Sequence, residues 1–286
     1  MNTPSTYIRV VTFNTYFGGH VDAGYGPDVH WEAQMAFLRE LKPDILALQE
    51  CNQWDALGKR RLHRAVNELD MARGFLAEAN QTTDGHRFHS ALLLSDRIRV
   101  VAEGADTHRY HHVLGWAKLR LPGVDRLLDV RNIQLDPFDP RNRAREIAPL
   151  EVLADPARLS LVLGDANSIG LDFPEPDWDS MSSHLLNGHL LPPGQEKIAD
   201  REAAQLLHRA GFIDLATKFG HAHVPTGGFA KGDVPRRLDL ALASQPVAAA
   251  TVHYEVHDQP VTDSFSDHCA VSIDLDAAQL SGEAPR

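Results

Sequence analysis

The chain has 286 residues, 43% of them hydrophobic, and a formal net charge of −11. That length suits one large α/β domain with a sizeable core, and no apolar run reaches the ~18 residues of a membrane span. The acidic balance disfavours nucleic acid as the main substrate without excluding it, because a local basic patch can act alone.

The N-terminus, MNTPSTYIRV, lacks the basic and apolar regions of a signal peptide, so a cytoplasmic protein is expected. Residues 7–14 are predicted as a strand. Residues 31–41 are predicted as a helix, stopped by Lys42-Pro43 because the residue before proline avoids helical geometry. A strand over 44–49 and a helix over 58–69 follow. Strands are predicted at 91–94, 97–102, 114–121 and 126–133, with Pro122 to Asp125 turning the last two into a hairpin. A helix over 141–153 has Asp139 as N-cap and Pro140 in its first turn. A strand over 159–163 comes next.

Residues 168–198 break the pattern. They carry Pro174, Pro176, Pro192 and Pro193 among several acids and read as a long irregular insertion, of the kind that is often functional. Its Trp178, His184 and His189 are candidate substrate walls. A helix over 200–209, stopped by Gly211, precedes strands at 238–243, 249–256 and 269–275. Residues 1–276 are expected to form a single domain, with 277–286 a frayed tail. Helices spread among many strands indicate α/β or α+β with two sheets. Cys51 and Cys269, each beside an apolar run, are expected as buried thiols.

Five polar clusters lie at the ends of apolar runs: VVTFN closing at Asn14, ILALQE closing at Glu50, LVLGDAN with Asp165 and Asn167, RRLDLAL with Asp239, and SDHCAVSI with Asp267 and His268. A sheet edge gathers such distant residues into one pocket. Glu50, Asn14 and Asp267 offer oxygen to a hard cation, which suits Mg²⁺ or Mn²⁺. Asp165 can orient or deprotonate a water, and Asn167 can donate to a phosphoryl oxygen. A carboxylate such as Asp239 on one ring nitrogen of His268 would fix its tautomer.

Taken in order, FN at 13–14, LQE at 48–50, LDP at 135–137, GDAN at 164–167, GFIDL at 211–215, RRLDLALAS at 236–244 and SDHCAVSI at 266–273 resemble the endonuclease/exonuclease/phosphatase superfamily with its DNase I-like fold. The resemblance implies a four-layer α/β/β/α sandwich of two packed, mostly antiparallel sheets, with the site at one end. It implies a metal-dependent phosphoesterase, with a phosphodiester or other phosphate ester as substrate. It makes Glu50 the main metal ligand, and it pairs Asp239 with His268 as catalytic residues alongside Asp165 and Asn167. Many family members carry histidine where this chain has Gln134. Glutamine can bind a phosphate oxygen but delivers no proton near neutral pH. His111 or His112 could take that place if their loop folds over the site. The alternative is a scaffold adapted to non-nuclease, biosynthetic or small-molecule chemistry. Oligomeric state is silent in the sequence.

Overall fold

Alternating burial along the apolar runs produces two sheets that each face a core on both sides. The computed structural model describes residues 7–20, 27–191 and 197–281. Its strands are β1 (Tyr7–Asn14), β2 (Ile45–Gln49), β3 (Arg73–Ala77), β4 (Ser90–Leu94), β5 (Arg99–Asp106), β6 (Leu114–Arg120), β7 (Leu128–Gln134), β8 (Leu159–Asp165), β9 (Ile213–Asp214), β10 (Asp239–Ala243), β11 (Thr251–His257) and β12 (Ala270–Asp276). They form two six-stranded sheets, ordered β11-β12-β1-β2-β4-β3 and β5-β6-β7-β8-β10-β9. Every pairing is antiparallel except β1 with β2 and β7 with β8.

The helices are α1 (Trp31–Leu41), α2 (Ala56–Glu68), α3 (Pro140–Ile147), α4 (Ser183–Leu186), α5 (Glu202–Ala210), α6 (Leu215–Lys218), α7 (Gln245–Ala250) and α8 (Gln259–Thr262). Val10, Ile45 and Leu92 of the first sheet pack against Leu119, Val130 and Leu161 of the second. The intervening residues Val11, Leu46 and Leu48 turn outward onto Trp31, Leu38 and Leu62 of α1 and α2. On the opposite side, Ile133, Val162 and Leu240 meet Ile147, Ala203 and Leu207 of α3 and α5. Period-two alternation thus builds the expected four layers.

Several boundaries differ from expectation. β3 was not predicted, because Gly74 interrupts its apolar pattern. A Cβ there would stand 2.7 Å from Val66 Cγ2 and 3.0 Å from Leu62 Cδ1, so the glycine lets α2 lie close on the strand. The helix expected over 141–153 is α3 followed by a 3-10 segment, Ala148–Ala154, with Pro149 at the junction. Asp139 caps α3 as expected, accepting from the Arg141 N–H. The stretch read as a strand from Ala249 begins instead with α7, opened by Pro246, and β11 starts at Thr251.

The tail expected to fray from Ala277 starts with a 3-10 turn, Ala277–Leu280, anchored by buried Ala277 and Leu280. Residues 282–286 of that tail, and Pro192 and Pro193 of the insertion, lie outside the described residues. The insertion has its own small core of Ile169, Phe173, Trp178, Met181, Ala199 and Val234. Trp178 is buried in it and donates to Glu175, and buried His189 contacts the Arg236 guanidinium at 2.9 Å. Both are structural here rather than substrate walls; His184 is exposed. Cys51 and Cys269 are buried free thiols, as expected. Among the described residues no helix is long and apolar enough to cross a membrane.

Candidate active site

The two parallel pairs set the site. β1 and β2 end together at Asn14 and Gln49, and β7 and β8 end together at Gln134 and Asp165. β10 runs antiparallel to β8 with Asp239 opposite Asp165. Behind this edge the two sheets are stitched by amides. Gln49 Nε2 donates to Thr12 Oγ1 and Asn132 Oδ1 at 3.0 and 2.7 Å, while Asn132 Nδ2 donates to the carbonyls of Leu48 and Ala91. Gly164, at φ +127°, permits the close crossing beside β7, since a Cβ there would lie 2.1 Å from the Ile133 carbonyl oxygen.

His268 and Asp239 pair as expected, Nδ1 to Oδ2 at 2.8 Å, and both are buried. The other ring nitrogen of His268 lies 3.9 Å from Asp165 Oδ2. Burial alone would lower the His268 pKa. The charge and hydrogen bond of Asp239, with Asp165 and Asp267 adding, hold it well above its ordinary value. Burial pushes Asp165 up to about 6 against the pull of His268. Asp165 Oδ1 accepts from the Asn167 N–H at 2.9 Å, an Asx turn. Asn167 itself sits at φ 46°, a strained value for a non-glycine, and its amide donates to the Leu135 carbonyl at 3.0 Å.

Glu50 also takes a left-handed backbone, φ 55°. It accepts from Asn14 Nδ2 at 3.2 Å, Gln134 Nε2 at 3.1 Å and the Phe17 N–H at 3.1 Å. Burial, then the charge of Asp267, pushes its carboxyl up to about 7. Asp267 is likewise raised by burial. The Asn14 amide turns its nitrogen to Glu50 and to Asp165 at 3.3 Å, while its oxygen accepts from the Tyr16 N–H and keeps a second lone pair.

Among the described residues no three His, Cys, Asp or Glu side chains cluster tightly enough to hold a metal. The set that could hold one is leaner: Glu50, whose ionisation the charge of Asp267 opposes, Asp267 itself and the Asn14 amide oxygen. That suits Mg²⁺, which takes one or two carboxylates and keeps several waters.

Gln134 lies buried against Glu50, with its own Oε1 unpartnered among the described residues. It positions the glutamate. His111 pairs with Asp136 at 3.3 Å, and buried His112, pushed down to about 3 by burial, packs on Phe88.

The sequence reading missed the residues that hold the histidine. Thr226 Oγ1 accepts from the backbone N–H groups of Leu238 and Asp239, and its carbonyl accepts from Cys269 N–H at 2.7 Å. Gly227 lies against the imidazole: a Cβ there would stand 2.7 Å from His268 Cε1. Ser266 donates its hydroxyl to the Asn14 carbonyl and accepts from His268 N–H, tying the SDH loop to β1. The Thr226-Gly227-Gly228 triplet was the available signal, as a turn sequence between apolar stretches.

No family model matches this chain, and no curated protein matches it. Solved structures do. An AP endonuclease from Archaeoglobus fulgidus superposes with TM-score 0.63 at 19% identity, covering 94% of this chain and 99% of that one. An endonuclease/exonuclease/phosphatase from Bacteroides vulgatus gives TM-score 0.63 at 14% identity over 95% and 99%. Truncated TDP2 of Caenorhabditis elegans gives 0.58 at 16% over 94% and 97%. With two six-stranded sheets between helical layers and its polar strand ends on one edge, the chain shares the DNase I-like fold of these structures.

Proposed function

We propose that this chain is a divalent-metal-dependent phosphoesterase. The reading rests on one observation: the His268–Asp239 pair, 2.8 Å apart, has its free ring nitrogen 3.9 Å from Asp165 at the edge that also carries Glu50. The names of the similar structures, an AP endonuclease and endonuclease/exonuclease/phosphatase proteins, point the same way.

Glu50 and Asp267, with the free lone pair of Asn14, would hold Mg²⁺ or Mn²⁺. When bound, the cation would supply Lewis-acid polarisation of a phosphoryl oxygen. The chain's own groups do the rest. Asp165 orients the attacking water and accepts its proton as the new P–O bond forms. His268, held by Asp239, and the second amide N–H of Asn167 face the phosphoryl oxygens as charge develops there. The P–O bond to the leaving group breaks in line. Gln134 has no proton to give, so the leaving group departs as its own anion or takes a proton from water.

A panel of bis-(p-nitrophenyl) phosphate, p-nitrophenyl phosphate, plasmid DNA and sphingomyelin, each with Mg²⁺ and Mn²⁺, tests this. Turnover of a nitrophenyl ester is expected to exceed that of esters with poor leaving groups. Inertness toward all four would reject the reading.

Gly227→Ala is expected to displace the imidazole. A misplacement of ~1 Å costs about 10²-fold in rate. The expected result is that loss in kcat, with the overpacked variant destabilised by about 1–3 kcal/mol but folded. An unchanged kcat would show that the ring's seat does not matter.

A further inference from the structure

Glu146 on α3 is fully buried, and the chemistry proposed above does not use it. A buried carboxyl is costly unless its hydrogen bonds are made. Both oxygens of this one accept from backbone. Oε1 takes the His111 N–H at 2.6 Å, in the loop before β6, and Oε2 takes the Asp136 N–H at 2.8 Å, in the loop after β7. Both loops lie at the edge that carries the site. Arg143, one turn earlier on α3 and also fully buried, donates to the Asp136 carbonyl at 2.9 Å and to the Gly188 carbonyl of the insertion at 2.6 Å.

The Asp136 N–H is one end of a peptide group whose other end is the Leu135 carbonyl. That carbonyl accepts from Asn167 Nδ2 at 3.0 Å, and the Leu135 N–H donates to the Asp165 carbonyl at 3.0 Å. The two ends of a trans peptide point opposite ways, so Glu146 and Asn167 bond to opposite ends of one dipole. A carboxylate on the N–H shifts electron density toward the carbonyl oxygen and makes it a stronger acceptor. Asn167 needs such support, since its left-handed backbone persists only where its surroundings hold it.

We propose that Glu146 is a positioning residue for Asn167, acting through the single peptide group between Leu135 and Asp136. The inference rests on the phosphoesterase reading, in which the second N–H of the Asn167 amide faces the phosphoryl oxygens. Burial pushes Glu146 up to about 7, against the N–H groups of His111 and Asp136. The Asp136 charge raises it and the His111 ring lowers it. Tyr110 faces it from the His111 loop, and Arg143 from its own helix, with Asp200 and His189 of the insertion beyond that guanidinium. The clamp is therefore complete with Glu146 ionised and weakens as pH falls through about 7.

Nuclear magnetic resonance of the full chain reads this without turnover. The Asp136 N–H and the Asn167 side-chain amide, the latter assigned from its loss in Asn167→Ser, are expected to titrate in step with a midpoint near 7. Glu146→Gln is expected to abolish that common step, because its carboxamide has no charge and one acceptor oxygen for two N–H groups. Its kcat on bis-(p-nitrophenyl) phosphate is expected to fall about tenfold or more, with KM changed less than about twofold. Asn142→Ala frees the Asp136 side chain and not the peptide group, so it should keep kcat within about twofold of the wild type. An unchanged kcat in Glu146→Gln, an Asn167 amide that titrates there as in the wild type, or equal losses in Glu146→Gln and Asn142→Ala would overturn the inference. Should Glu146→Gln not fold, the wild-type titration decides, and separate midpoints for the two resonances overturn it. The two readings fail separately. Resonances that move in step in a chain that hydrolyses no phosphate ester sink only the phosphoesterase. Hydrolysis with independent resonances sinks only the role of Glu146.

Discussion

His268→Ala is expected to lower kcat by about 10²–10⁴-fold, the usual worth of a positioned acid–base or charged group. The loss should fall on kcat more than on KM. In the proposed mechanism the imidazole meets charge that develops during the reaction, and an interaction realised only in the transition state appears in kcat. Asp239→Asn supplies the matching test. The amide keeps the carboxylate's shape but can present N–H to Nδ1, which reverses the tautomer and removes the charge that stabilises the imidazolium. Its loss should approach that of His268→Ala. The double variant should be scarcely slower than either single one, because groups that act as a unit are strongly non-additive. Steady-state kinetics on a nitrophenyl diester checks all three. Multiplying losses would mean that the 2.8 Å contact is structural rather than catalytic.

Glu50→Ala is expected to weaken Mn²⁺ binding by more than about 10²-fold, since even outer-shell partners of a metal ligand cost 10–100-fold. Glu50 is the one acid in the site held by three donors, from Asn14, Gln134 and Phe17, on a strained left-handed backbone. Such geometry persists only where the surroundings over-determine it. Electron paramagnetic resonance of Mn²⁺ reads the affinity directly, independent of turnover. A thermal shift gives a second readout. A cation at 100 times its dissociation constant stabilises the folded chain by about 2.7 kcal/mol. Mg²⁺ should therefore raise the wild-type midpoint and leave that of the variant almost unmoved. Equal shifts in both would place the metal elsewhere.

Much of this architecture was legible because burial follows the sequence period. β1 and α1 match their predicted spans, and Lys42, at φ 49° before Pro43, ends α1 where the steric rule requires. The misses have physical causes. β3 escaped because Gly74 answers to a helix packed on it from elsewhere in the chain. α7 escaped because Pro-Val-Ala-Ala-Ala runs directly into the β-branched Thr251, and helix and strand cannot be told apart in so short an apolar run.

At the site, the side chains at strand ends were readable, since each lies at one end of an apolar run. Their supports were not. Thr226 acts through its hydroxyl and carbonyl on backbone groups of β10 and Cys269, and Gly227 acts by lacking a Cβ beside His268. The Thr226-Gly227-Gly228 triplet marks a turn in the sequence but not what either residue holds. Gln134 drew notice as a missing proton donor, whereas its visible work is to hold Glu50.

The most direct measurement is hydrolysis of bis-(p-nitrophenyl) phosphate by chelator-treated protein, before and after Mg²⁺ is restored, with Glu50→Ala alongside. The account predicts turnover only in the restored wild type. Equal turnover in EDTA and in the variant would contradict it.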